Sequence, residues 1–294
     1  MITRGIYSAT CSILNDDFSL NVEATIQHAA SSINNGLHGA IFFGSTGQSQ
    51  LIDLNSKKNL ISKIASHKFR KNFFIGTGCN SINETLDLIK YAFEYEFRDF
   101  LIMPPAYYKG NTEKGVYDFY KHIIKKVPKI IIILYNFEKL SSFLFSPDFV
   151  KRLVNDFPKN IIGVKDSSYN LFEKLKIPNF LIFPGSETKL LKGLKLGCSG
   201  IISAVCNVTG PLARKVYDDF YNKKKQTHNI RLCAIRSVFD KNNLISGLHS
   251  FLSIEDEKYQ FILPPLSLLT KDKEKKMMSE LKALDFFPDK SIAA

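Results

Sequence analysis

Strand-like apolar runs recur eight times along this chain, and that recurrence limits the folds open to it more than any other feature. They lie near Ile6 to Ser12, Gly39 to Phe43, Phe73 to Thr77, Phe100 to Met103, Ile130 to Tyr135, Ile161 to Lys165, Leu181 to Pro184 and Gly200 to Ser203. Amphipathic stretches with helix-start signals separate them: Asn21 to Asn35, Asn55 to Lys68 opening on an asparagine cap, the capping box Ser81-Ile82-Asn83-Glu84, Thr112 to Lys126, and Ser146-Pro147-Asp148. Shorter helical runs are expected around Leu171 and Lys189, and Pro211 is expected to open a longer one reaching about Asn222. Strands that alternate with helices pair in parallel, because each crossover returns the chain to the same end of the sheet. Eight such units predict an α/β fold, a closed (β/α)8 TIM barrel over residues 1–228. The stretch 229–294, helical in pattern with a Pro264-Pro265 break, is read as a C-terminal helical appendage. With 294 residues and 45% hydrophobic content the chain can bury a large core, and such a barrel takes about 250 residues.

In a barrel of this kind the carboxyl ends of the strands share one rim, where ligands bind. The run Ile161-Ile162-Gly163-Val164-Lys165-Asp166 carries a lysine to that rim. Desolvation disfavours the charged ammonium and so favours a free amine able to attack a ketone and form a Schiff base. A lysine that snorkels to the surface or pairs with Asp166 is the alternative. Ile130-Ile131-Ile132-Ile133-Leu134-Tyr135-Asn136 ends on a tyrosine thirty residues earlier, with the Ser146-Pro147 helix between. One strand-helix-strand unit therefore sets Tyr135 beside Lys165 on the same rim, close enough for the phenol to relay protons. A third rim element, Gly44-Ser45-Thr46-Gly47-Gln48-Ser49, follows a strand directly. Its glycines permit a tight turn, and its amides and hydroxyls suit a carboxylate. Phosphate is the rival ligand, but neither the Walker spacing nor the dinucleotide fingerprint is present.

Composition removes several other functions. The net charge of +12 raises nucleic acid as a partner, yet the clusters Lys223-Lys224-Lys225 and Lys271 to Lys276 have no interleaved aromatics and read as solvated helix faces. Five cysteines (Cys11, Cys79, Cys198, Cys206, Cys233) show no CxxC and no framework spacing, which points to reduced thiols and a cytoplasmic location. No apolar stretch reaches the ~18 residues of a membrane span. None of His28, His38, His67, His122, His228 or His249 sits in a ligand cluster at a strand's carboxyl end, so no metal is expected.

Taken together, Gly44-Ser45-Thr46-Gly47, Tyr107-Tyr108 after Pro104-Pro105, Tyr135-Asn136, Gly163-Val164-Lys165-Asp166, and Gly185-Ser186 followed by Gly200-Ile201-Ile202-Ser203 resemble the dihydrodipicolinate synthase and N-acetylneuraminate lyase family. The motifs occur in that family's order from Ser8 to Asn207. The resemblance implies a class I, pyruvate-using or pyruvate-forming lyase without a cofactor. Lys165 would form the Schiff base, Tyr135 would relay protons, and Ser45 with Thr46 would hold the pyruvate carboxylate. Gly44, Gly47, Gly185, Ile202 and Leu140 would surround the substrate. Tyr107 matches a tyrosine that the family inserts across a tight dimer interface, where it completes a relay with Ser45 and Tyr135. A homotetramer built as a dimer of such dimers is the implied assembly.

Departures from the family pattern bear on the substrate, pyruvate plus an aldehyde or a longer 2-keto acid. Synthases that condense pyruvate with aspartate semialdehyde carry an arginine four residues after the Tyr-Asn strand end, where this chain has Leu140. Lys139 and Lys109 are the nearest basic substitutes in sequence, and neither offers a bidentate fork. Asp166 after the lysine resembles the sugar acid aldolases more than the synthases, and Gln48 replaces a usual glutamate. Three readings follow. The first is a 2-keto-3-deoxy sugar acid aldolase, whose substrate hydroxyls would meet Ser141, Asn111 or water. The second is dihydrodipicolinate synthase of lysine biosynthesis. The third, a catalytically silent ligand-binding paralogue, is disfavoured by the intact Lys165, Tyr135 and Tyr107.

Overall fold

The computed structural model describes residues 1–288. Its strands are β1 (Gly5–Ala9), β2 (Gly39–Phe42), β3 (Phe73–Gly76), β4 (Asp99–Ile102), β5 (Ile131–Asn136), β6 (Ile161–Asp166), β7 (Leu181–Pro184) and β8 (Gly200–Ser203). From β1 to β7 each pairs in parallel with the next in chain order, and β8 returns to pair with β1. Between β7 and β8 the ring is joined by Ser199: its N–H donates to the Ile182 carbonyl at 2.8 Å, and its hydroxyl accepts from the Ile182 N–H at 3.2 Å. The molecule is thus a nearly closed TIM barrel with helices between its strands.

The apolar runs lack polar alternation because both strand faces are buried. Outward residues such as Phe42, Ile75, Phe100, Ile132, Leu134 and Val164 pack under the helices. Inward residues such as Tyr7, Ile41, Phe74, Leu101, Ile133, Phe183 and Ile202 fill the lumen, so the barrel is a packed core.

The helix starts follow local capping chemistry. Asn21, Ser81, Thr112 and Ser146 cap the helices Val22–Asn34, Ile82–Glu94, Glu113–Lys126 and Pro147–Asp156, each side chain accepting a first-turn N–H. Three expectations need correction. The second helix spans Leu54–Ile64, and Asp53, not Asn55, caps it by accepting from Ser56 N–H. No helix forms at Leu171, because the Asp166 carboxylate takes the N–H groups of Tyr169, Leu171 and Phe172 and holds the chain in turns. The helix expected to open at Pro211 spans Cys206–Tyr221 with the proline inside it. Its start is tied to the barrel by Asn207, whose side chain donates to the carbonyls of Ala9 and Ala204.

Beyond residue 228 the described residues form three α-helices, Asn229–Asp240, Leu244–Leu252 and Lys271–Lys282, with a cis peptide at Pro264-Pro265. Ile235, Phe239, Phe251 and Tyr259 pack there against Cys11, Ile13, Val205 and Val208 of the barrel. Residues 289–294, the end of the expected appendage, lie outside the described residues. Among the described residues no helix is long and apolar enough to cross a membrane.

Candidate active site

A bulge brings the two central side chains together. The β5–β6 ladder begins with Ile132 opposite Ile161, then shifts so that Ile133 faces Gly163. Ile162 is the extra residue, and it points inward like the residue after it. Were Ile162 instead paired with Ile133 in an unbulged ladder, Tyr135 would lie opposite Val164 and Lys165 would turn toward the helices, since successive side chains alternate faces. With the bulge Tyr135 and Lys165 are register partners. A glycine is required beside the bulge: a Cβ on Gly163 would stand 2.6 Å from the Leu181 carbonyl and 2.8 Å from Ile133 Cδ1.

Lys165 is 3% exposed, with its Nζ 4.2 Å from the centroid of the Tyr135 ring. It neither reaches the surface nor pairs with Asp166, whose carboxylate is taken by Asn136 and three backbone N–H groups. Burial pushes the Asp166 carboxyl up, against the hydrogen bonds that favour its anion. Tyr135, equally buried, exchanges a hydrogen bond with Ser45 across the lumen, Oη to Oγ, at 3.0 Å.

The loop carrying Ser45 is wound tightly against the end of β1. Gly47 and Gln48 donate back to the carbonyls of Gly44 and Ser45, and the Ser12 hydroxyl donates to the Gly47 carbonyl at 2.7 Å. A Cβ on Gly47 would meet the Thr10 carbonyl at 2.8 Å. Gln48 adopts a left-handed φ of 52°, and its Oε1 accepts from Leu263 N–H at 2.7 Å, tying the loop to the C-terminal segment. Among the described residues no acceptor engages the amides of Ser45 and Thr46. These two donors and the Thr46 hydroxyl stand together at the rim, a set that suits a carboxylate.

A cavity of about 530 Å³ lies over Lys165, bounded by Ser45, Thr46 and Tyr135 on one side and by Tyr169, Gly185, Ser186, Thr188 and Lys189 on the other. Gly185 in this wall has little room for a side chain, since a Cβ there would stand 2.3 Å from the Ser167 hydroxyl. Other expected site residues lie elsewhere. Ile202 is wholly buried in the lumen opposite Tyr7, and Ala204 reaches the cavity instead. Leu140 borders a separate cleft of about 430 Å³ that shares Ser45 and Tyr135 as its wall. Ser141 is buried, bonded to the carbonyls of Phe137 and Phe143, and Asn111 donates to the carbonyls of Tyr108 and Ser141, so neither faces the substrate space. Tyr107 is 83% exposed with a φ of 87° and an edge-on contact to Tyr108, outside its own chain's cavity. Lys139 does line the cavity.

The sequence reading missed the side of the cavity supplied from beyond the barrel. Arg236, on the first appended helix, is 4% exposed and lines it. Its Nη1 donates to Glu187 Oε2 at 2.7 Å and Ser203 Oγ at 2.9 Å, and its Nε to Asp240 Oδ1 at 2.9 Å. Burial alone would lower the pKa of this guanidinium, but the carboxylates of Glu187 and Asp240 outweigh it and raise the pKa. The four-residue spacing of Arg236 and Asp240 is a readable helix pair, but nothing in that spacing shows that it faces a lysine on β6.

The model of the dihydrodipicolinate synthetase family matches residues 2–284. A 4-hydroxy-tetrahydrodipicolinate synthase from Hydrogenobaculum is 30% identical over 253 residues, covering 83% of this chain and 86% of that protein. A 2-dehydro-3-deoxy-D-gluconate/2-dehydro-3-deoxy-phosphogluconate aldolase from Picrophilus torridus is 29% identical over 223 residues, covering 74% and 76%. The crystal structure of dihydrodipicolinate synthase from Agrobacterium tumefaciens superposes with a TM-score of 0.85 at 23% identity, covering 95% of this chain and 99% of that one. This chain belongs to the dihydrodipicolinate synthetase family and is an enzyme, a class I lyase.

Proposed function

We propose that the protein is a pyruvate-dependent aldolase that cleaves or forms a 2-keto-3-deoxy sugar acid through a Schiff base on Lys165. The observation that carries this reading is the placement of one buried amine against the Tyr135 ring, with the Tyr135 hydroxyl bonded to Ser45 and two unengaged amides beside it. The Lys165 amine adds to the C2 ketone, and loss of water gives an iminium. The iminium accepts the electron pair released when the C3–C4 bond breaks, while Tyr135 takes the proton of the C4 hydroxyl and an aldehyde leaves. Protonation of the resulting enamine at C3 and hydrolysis return pyruvate and the free lysine. Through these steps the Ser45 and Thr46 amides hold the carboxylate. A second reading, 4-hydroxy-tetrahydrodipicolinate synthase, is favoured by the names of several relatives. Leu140 weighs against it, since that side chain offers a semialdehyde's carboxylate no charged partner.

In the same proposal residues 1–228 are the catalytic barrel and 229–294 an extension, and the exposed Tyr107 serves the cavity of a second copy within a homotetramer. Borohydride reduction in the presence of pyruvate tests the chemistry. Wild type should gain one reduced pyruvyl group on the Lys165 peptide, and Lys165→Arg none, because a guanidinium stays protonated. An adduct on another peptide, or none on wild type, would rule out the mechanism.

A further inference from the structure

Of the cysteines, Cys79 alone among the described residues has an amine at hydrogen-bond distance. Lys57, on the helix Leu54–Ile64, is 2% exposed, and its Nζ donates to the carbonyls of Thr77 and Gly78, each at 3.2 Å, and to Cys79 Sγ at 3.6 Å. The thiol in turn donates to the Thr77 carbonyl at 3.2 Å. None of these three bonds of the lysine goes to a carboxylate, although Asp53 and Glu84 line the same cavity. That cavity, of about 330 Å³, borders both Lys57 and Cys79, and the cysteine is partly exposed, so a small oxidant can reach the sulfur.

We propose that Cys79 and Lys57 form a reversible covalent crosslink, in which hydrogen peroxide oxidises the thiol to a sulfenic acid and the Lys57 amine then condenses with it to a sulfenamide. In the first step sulfur attacks one peroxide oxygen. An S–O bond forms, the O–O bond breaks, sulfur gives up two electrons, and the thiol proton leaves with the second oxygen as water. In the second step the Nζ lone pair attacks sulfur and an S–N bond forms as the S–O bond breaks. The hydroxide takes a proton from the amine and leaves as water, with no further change of oxidation state. Two thiol groups of an added reductant reverse the link, returning amine and thiol and leaving their own disulfide.

The geometry suits the condensation. A neutral amine has two N–H groups, which the Thr77 and Gly78 carbonyls hold, and its lone pair is left on the side that faces Sγ. Burial lowers the pKa of Lys57 and favours that neutral form. Burial also raises the Cys79 thiol, against the pull of Lys57, so thiolate is scarce and the oxidation is the slow step. The link fastens the helix to the turn after β3. There Gly78 has a φ of 54° and lies so close to Ser49 that a Cβ would overlap its hydroxyl. Ser49 continues the loop that carries Ser45 and Thr46, so the modification lies behind that loop and uses none of the groups assigned to the aldolase chemistry.

The test treats the full chain with hydrogen peroxide and maps its proteolytic peptides by mass. Wild type should yield the Lys57 and Cys79 peptides joined, lighter than their sum by two hydrogen atoms, and separate again after dithiothreitol. Lys57→Arg keeps donors for the two carbonyls but has no amine lone pair to give. It should lose the joined species and leave a Cys79 sulfenic acid that dimedone labels, and Cys79→Ser should lose both signals. Wild-type Cys79 recovered as a free thiol, a sulfinic acid or a disulfide, with Lys57 unmodified, would overturn the proposal. So would a joined pair that carries an extra oxygen atom or survives dithiothreitol, or the same joined mass from Lys57→Arg. The wild-type map decides the outcome even where Lys57→Arg fails to fold.

Discussion

Removing the Tyr135 hydroxyl tests the proposed proton relay apart from everything else that residue does. In Tyr135→Phe the ring stays beneath Lys165 Nζ, 4.2 Å away in the native chain, and only the 3.0 Å bond to Ser45 is lost. That bond contributes about 0.5–1.5 kcal/mol to stability, so the variant should fold. A positioned acid-base group contributes ~10²–10⁴ in rate, so aldol cleavage should fall by that factor while the pyruvate adduct still forms. Ser45→Ala keeps the Ser45 amide and deprives Tyr135 of its partner, and one neutral hydrogen bond predicts a loss of only about three- to tenfold. Because the two hydroxyls act as a unit, Ser45→Ala added to Tyr135→Phe should cost less than about twofold more. Single-turnover cleavage with adduct trapping on all four proteins measures each number. Tyr135→Phe retaining more than a third of wild-type cleavage would refute the relay. A double variant that loses the full product of the two single effects would refute the coupling.

Three further perturbations test the frame around this pair. Gly163→Ala should cost about 1–3 kcal/mol in urea denaturation, because its Cβ has to displace the Leu181 backbone, and it should slow adduct formation by disturbing the bulge; an unchanged midpoint would show that the close approach is not needed. Burial holds the pKa of His28 and of His249 down to about 4. The unfolded chain therefore binds protons at both near 6.5, before the folded one does, and stability should fall as pH drops from about 6.5 to 4, by up to ~1.4 kcal/mol per pH unit for each histidine. A flat stability profile over that range would refute the assignment. Tyr107→Phe should lower turnover without blocking the adduct, and mixing it with Lys165→Ala chains should restore some activity if Tyr107 serves a neighbour; no recovery in verified mixed dimers would count against a shared site.

Much of the fold was readable because strand and helix signals are local. Ser146, Pro147 and Asp148 announce a helix start from three adjacent residues, and buried parallel strands are written as runs such as Ile131-Ile132-Ile133-Leu134. Lys165 and Tyr135 could be singled out because each ends such a run. The bulge could not, since an extra residue in an apolar strand leaves the pattern of residue types unchanged, and only the glycine at 163 marks it. The start of the Cys206–Tyr221 helix was hidden because Asn207 fixes it through contacts with β1, nearly two hundred residues away in the chain. Ile202 and Leu140 are expected beside the substrate by resemblance alone; Ile202 is buried in the lumen, and Leu140 borders the cleft that shares Ser45 and Tyr135.

The division of labour across the cavity follows from where each part is encoded. The buried amine, the phenol and the two unengaged amides come from β6, β5 and the loop after β2, elements whose positions the barrel ladder holds fixed. Other lining residues come from the turns after β6 and β7, and from a helix that follows the last strand. Residues there can change without moving Lys165, because none of them belongs to the β5–β6 ladder. The pairing of Tyr135 with Lys165 therefore depends on the register that a single bulged residue, Ile162, imposes on β6.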